Sequence, residues 1–161
     1  RMAKLSTTMM LLVAGGALMS VVVAYFITSA PAGNARIQLM PNDTELVSLG
    51  GAVYVQNCAA CHGAALQGQA NWRSRMANGR LPAPPHDETG HTWHHPDDYL
   101  FAVTKYGIEA MIKNTYPNNM PAYEDQLSDR EIIAVLSYIK SQWPRKIQRQ
   151  HDQISQRSSN Q

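Results

Sequence analysis

Residues 57–63 read Asn-Cys-Ala-Ala-Cys-His-Gly, and Cys58 and Cys61 are the only cysteines of the chain. The fate of this pair decides how the rest is read. A disulfide between them would close a loop too small to stabilise much. A redox dithiol of this spacing belongs beside a strand–helix–strand pattern, and no stretch of the chain has that pattern. Zinc needs four ligands; His86 and His91 match the usual spacing of a histidine pair only loosely. The remaining reading is that both thiols and His62 hold something larger.

Bulk composition narrows the setting. The 161 residues allow one domain of ordinary size with extensions. A formal charge of +2 leaves no basic excess of the kind that nucleic acid selects. Arg1 and Lys4 are the only basic residues before Arg36, and beyond them 12 basic residues face 12 acidic ones. Phe is scarce, at 2 residues, and Met frequent, at 8, a composition that suits a core completed by a large apolar group.

The N-terminal segment has its own signature. No charge interrupts the chain between Lys4 and Arg36, and Met9 to Ile27 is a run of 19 mostly apolar residues. At about 1.5 Å per residue such a helix nearly crosses a hydrocarbon layer of about 30 Å. A cleaved signal peptide competes, with small residues at Ser29-Ala30 and Asn34-Ala35 as cleavage sites. The run is longer than the apolar core of about 7–15 residues usual for such peptides, which favours an uncleaved anchor. Arg1 and Lys4 ahead of it put the N-terminus in the cytoplasm and the rest in the periplasm. The expected organisation is a transmembrane anchor over 1–30, a linker over 31–42, a folded domain over 43–144 and a polar tail over 145–161.

The folded part reads as all-α. Asn42 or Asp43 caps a helix from about Thr44, with Leu46, Leu49 or Gly50, Val53 and Tyr54 at helical spacing, running into the cysteines. Residues 63–96 are rich in Gly, Pro, Asn and His without a period, a loop too long for a compact domain unless it serves a function. Pro96-Asp97-Asp98 opens a short helix carrying Leu100, Phe101, Val103 and Tyr106 and ending at Gly107. Residues 108–123 are partly helical with a turn at Pro117-Asn118-Asn119. Ser128 and Glu131 form a capping box ahead of Ile132, Ile133, Val135, Leu136, Tyr138 and Ile139, with Pro144 beyond.

Short helices joined by long loops make a marginal core, and Cys-x-x-Cys-His is also the attachment signature of a covalent haem. At a helix end, positions i and i+3 share a face, so both thiols reach the two vinyl groups while His62 reaches the iron as proximal ligand. The haem then supplies the missing apolar bulk, and the long loop wraps it. The candidates for the opposite face of the iron are Met76, Met111, Met120 and the histidines. Met111 sits at helical spacing with Ile108 and Ile112, where a core role is the plainer reading. Met120 lies in a turn, with Pro121 holding the chain extended, and is the preferred distal ligand. A His/Met pair raises the potential relative to many other ligations.

Cys58-Ala-Ala-Cys61-His62, then Met120-Pro-Ala-Tyr123, then LSDREIIAVLSYIKS at 127–141 resemble the monohaem class I c-type cytochromes, particularly bacterial membrane-anchored ones and the cytochrome domains of cbb3-type oxidases. The resemblance spans roughly Thr44 to Trp143. It implies one covalent haem c held by Cys58, Cys61, His62 and Met120, in a domain that carries single electrons and turns over no small-molecule substrate. It implies a tight crossing of the first and last helices of that fold, with Gly50 and Tyr54 facing Tyr138 and Leu136. It implies that a proline carbonyl orients His62; Pro82, Pro84 and Pro85 all qualify.

Two features fall outside the resemblance. Residues 86–95 hold four histidines, His86, His91, His94 and His95, in ten positions. A hydrogen-bonded surface or propionate-side loop is the plain reading; a copper or zinc site, or an exchanged axial ligand, are the sharper ones. Arg73, Arg75 and Arg80 are candidates for pairing with haem propionates. The tail from Arg145 is polar and should fray on its own, so that an ordered tail would suggest a partner protein. The expected role is an inner-membrane, single-pass electron carrier between a quinol-oxidising complex and a terminal oxidase or reaction centre. The alternative is a fixed haem c subunit of a larger membrane oxidoreductase.

Overall fold

The structure is a computed structural model and describes residues 36–112 and 117–160. The expected anchor over 1–30 lies outside the described residues, and among the described ones no helix is long and apolar enough to cross a membrane. Residues 36–161 make one unit, in which the described regular elements are all helical: α1 (Thr44–Asn57), α2 (Ala59–His62), a 3₁₀ turn (Thr92–His94), α3 (Asp97–Tyr106), α4 (Ile108–Met111), α5 (Asp129–Ser141) and α6 (Arg145–Ser158).

The frame is the crossing of α1 and α5. Asp43 caps α1, its carboxylate accepting the Leu46 N–H at 3.0 Å. Ser128 and Glu131 close the capping box on α5, with Ser128 N–H donating to Glu131 Oε2 at 2.8 Å and Glu131 N–H to Ser128 Oγ at 3.3 Å. The helices approach until a Cβ on Gly50 would stand 2.0 Å from the Ala134 carbonyl oxygen and 2.9 Å from Tyr138 Cβ. Only glycine permits that approach. Tyr54, one turn on, tilts against Tyr138 with ring centroids 5.5 Å apart. Thus Tyr138 is a partner in the crossing as expected, and Ala134 takes the place nearest Gly50, while Leu136 lies in the buried core with Val53, Tyr54, Ile132 and Val135.

The two ends of the unit differ from expectation. Within the stretch read as linker, Leu39 is buried, its N–H donates to Asp97 Oδ2 at 3.0 Å, and the Met40 N–H donates to Ser137 Oγ at 2.9 Å. The tail expected to fray is α6, a 14-residue helix packed on the domain. Its inward face is polar: Gln148, His151 and Ser155 are all buried. Gln148 Nε2 donates to the Trp143 carbonyl at 2.9 Å, and Ser155 Oγ sits 3.1 Å from both the Asp97 N–H and its carboxylate. The His151 ring meets the Trp143 indole edge-on at 5.1 Å. Order in this segment therefore has an internal cause and does not require a partner protein.

Candidate haem site

Helix α1 delivers the cysteines. Its last turn closes with the Cys58 N–H donating to the Tyr54 carbonyl at 2.9 Å, and the chain restarts as the single turn α2, with the Cys61 and His62 N–H groups both directed at the Cys58 carbonyl. Gly63, at φ 82°, ends that turn in a conformation that side chains resist. Tyr54 fixes the exit, its hydroxyl donating to the Gly63 carbonyl at 2.8 Å. Both thiols are free; Cys61 is exposed and Cys58 half-buried. Burial, and then the neighbouring Cys61, push the Cys58 thiol up to about 11.

His62 is buried, and its Nδ1–H donates to the Pro84 carbonyl at 2.8 Å. The carbonyl can only accept, so the tautomer is fixed and Nε2 keeps its lone pair. Burial lowers the pKa of His62, and the Pro84 bond opposes that shift in part. Of the three candidate prolines, Pro84 is the one whose carbonyl turns to His62. Gly68 lets the proline segment come close: a Cβ there would lie 2.4 Å from the Pro85 nitrogen.

Met120 lies in the extended stretch between α4 and α5, its N–H bonded to Asn118 Oδ1 at 3.0 Å. It lines a cavity of about 260 Å³ with Tyr106, Ile108 and Pro121. Tyr123, three residues on, carries this stretch to the cysteine helix: its hydroxyl donates to the Asn57 carbonyl at 2.8 Å, and its N–H reaches the end of α3 at the Thr104 and Lys105 carbonyls. Nothing in the sequence assigns Tyr123 a role beyond its place in Met-Pro-Ala-Tyr; an aromatic three residues after the candidate ligand is the available signal. Met76, by contrast, is exposed in the loop between α2 and the 3₁₀ turn.

The histidine loop separates into two environments. His86 turns inward. Its ring stacks on that of His62 at 3.9 Å between centroids and 20° between planes, and its Nδ1 lies 2.8 Å from Thr92 Oγ1. Burial, with His62 and His91 adding to it, holds the pKa of His86 well below the ordinary value. The other three pair with aromatic rings: His91 with Trp72, His94 with Trp93, His95 with Tyr99. No group of three or more His, Cys, Asp or Glu among the described residues is arranged to hold a metal ion. Arg73 lies over the Trp72 ring at 4.0 Å, and Arg75 donates to the Gly79 carbonyl at 2.7 Å.

Two thiols one turn apart, followed by an imidazole with one nitrogen committed to a carbonyl and the other free, are the donor set that a covalent haem requires. A family model described as cytochrome c oxidase, cbb3-type, subunit III, matches residues 45–139, more than half of the chain. The chain belongs to this family. The matched span runs from the first turn of α1 to near the end of α5 and contains Cys58, Cys61, His62 and Met120. The cbb3-type cytochrome domain binds haem c covalently, so the cofactor of this chain is one haem c and its class is electron transfer. No curated protein and no solved structure matches the chain.

Proposed function

We propose that the protein is a membrane-tethered periplasmic one-electron carrier, with haem c attached through Cys58 and Cys61 and ligated by His62 and Met120. The observation that carries this reading is the His62 Nδ1–H bond to Pro84, at the head of a Cys-x-x-Cys-His turn inside a cbb3-type family match. When bound, the haem supplies a single iron that alternates between two oxidation states. The chain does the rest. Cys58 and Cys61 fix the group's position. Pro84 orients the His62 ring and raises its basicity, as a hydrogen-bonded partner does for metal-bound histidines generally. Tyr123 ties the Met120 stretch to the helix that bears the cysteines.

The apolar run over 9–27 supports an inner-membrane anchor with the N-terminus in the cytoplasm and the haem domain in the periplasm. A tether raises the effective concentration of the domain at membrane donors and acceptors; a quinol-oxidising complex on one side and a terminal oxidase or reaction centre on the other are the proposed partners. The second reading, a fixed haem c subunit of a larger oxidoreductase, is favoured by the family itself, whose description is that of an oxidase subunit. Purification from membranes in mild detergent separates the two. A haem-staining band that survives denaturation and travels alone supports the carrier; fixed stoichiometry with other redox subunits supports the subunit. A chain that takes up no covalent haem would defeat both.

A further inference from the structure

The proximal side carries a group that haem ligation does not use. His86 lies against the face of His62, nearly parallel, with centroids 3.9 Å apart. Three hydrogen bonds hold it there, from three different parts of the fold. Its N–H donates to the Leu66 carbonyl at 2.7 Å, its own carbonyl accepts the Trp143 indole N–H at 2.7 Å, and its Nδ1 meets the buried Thr92 hydroxyl at 2.8 Å. The first two fix the His86 backbone and the third holds its ring, and a planar ring packed on another planar ring resists its rotation.

We infer that His86 is a positioning residue for the proximal ligand: its ring, braced by Thr92 and by Trp143 at its backbone, sets the plane of the His62 imidazole. The inference rests on His62 being that ligand. The Pro84 bond alone leaves the His62 ring a rocking motion about the Nδ1···O direction; the stack on His86 removes it. The same ring fills the space beside His62 that water would otherwise enter. Water there would stabilise the more highly charged ferric state, so the brace also keeps the potential high.

The test uses the haem-loaded full chain and reads the orientation of the axial imidazole directly, from the paramagnetically shifted haem methyl resonances of the oxidised protein and its electron paramagnetic resonance spectrum. His86→Ala should change the order or spread of the methyl shifts and lower the midpoint potential. His86→Phe, which keeps a flat ring and a dry space, should restore both towards wild type. Thr92→Val, which leaves His86 in place but removes its tether, should give a smaller change in the same direction. Should His86→Ala not load haem, Thr92→Val decides. Methyl shifts and potential unchanged in His86→Ala, or in Thr92→Val when Ala does not load, would overturn the brace while leaving His62 as ligand. Loss of the brace is also ruled on separately from the haem reading, because wild-type protein without covalent haem would fail before any variant is compared.

Discussion

At the scale of single residues, the site rests on side chains whose partners are backbone carbonyls. His62 is held by Pro84, Tyr54 by Gly63, and Tyr123 by Asn57. Carbonyls on rigid segments are poor at moving, so these contacts fix directions as well as distances. Met120 is different, because its side chain lies in an extended stretch away from any helix. Replacement by Ala is therefore expected to leave the fold intact and open the distal position. The reduced variant should bind carbon monoxide, the far-red absorption of methionine ligation should vanish from the oxidised form, and the potential should fall. A Met120→Ala protein with an unchanged spectrum would remove Met120 from the ligand set. Replacing both cysteines, Cys58→Ala with Cys61→Ala, should abolish the haem stain on a denaturing gel.

At the scale of elements, the α1–α5 crossing is the most exacting contact. A methyl on Gly50 would meet the Ala134 carbonyl at 2.0 Å, and backbone on both sides leaves nothing flexible to give way. Gly50→Ala should cost about 1–3 kcal/mol by overpacking, or more if the crossing cannot spread, measured as a lower denaturant midpoint. Ser128→Ala, which removes one half of the capping box on an exposed helix end, should cost about 1 kcal/mol. Both helices could be read from the sequence, α1 from apolar residues at helical spacing and α5 from its capping box and apolar stripe. Helix α6 could not, because the residues that face inward at 148, 151 and 155 are Gln, His and Ser. Their spacing is helical, but a search for apolar periodicity passes over them. The choice among three prolines was equally hidden, since it depends on the direction of a carbonyl and not on residue type. Deleting 145–161 would uncover Trp143, which is 3% exposed, and remove the Asp152 partner of the Lys140 ammonium at 2.6 Å. The truncated protein should lose about 2–4 kcal/mol, mainly the burial of the indole, while keeping the cysteine turn.

At the scale of the whole molecule, charge and burial set the response to pH. His151 is fully buried, and its Nε2 lies 3.5 Å from the Asp97 carboxylate. Burial, with Lys140 nearby, lowers its pKa from 6.5, and Asp97, the His95 backbone and Asp152 oppose this only in part. His91 and His95 shift the same way, again chiefly through burial. The unfolded chain takes up these protons near pH 6.5 and the folded one resists them, so stability is complete above that pH and falls as the pH drops towards the folded values. Denaturant midpoints should therefore decline from pH 7 to pH 5, and His151→Phe should flatten the decline. A decline of equal slope in the variant would exonerate His151. The long irregular span between α2 and α3 was expected to wrap a haem; its described contacts show how it is held, with His86 on His62 at one end and the 3₁₀ turn against α6 at the other.

The Arg36 guanidinium donates to the Ser155 carbonyl at 2.7 Å, across 119 positions of sequence, and Leu39 and Asp97 extend the same seam. A ribosome makes the chain in one direction, at roughly 5–20 residues per second. Cys58 and Cys61 are complete several seconds before α6 exists. Throughout that interval the seam has only one of its sides. Helix α6, the last of the described helices, supplies the second side of that seam, and the two cysteines precede it in time as well as in sequence.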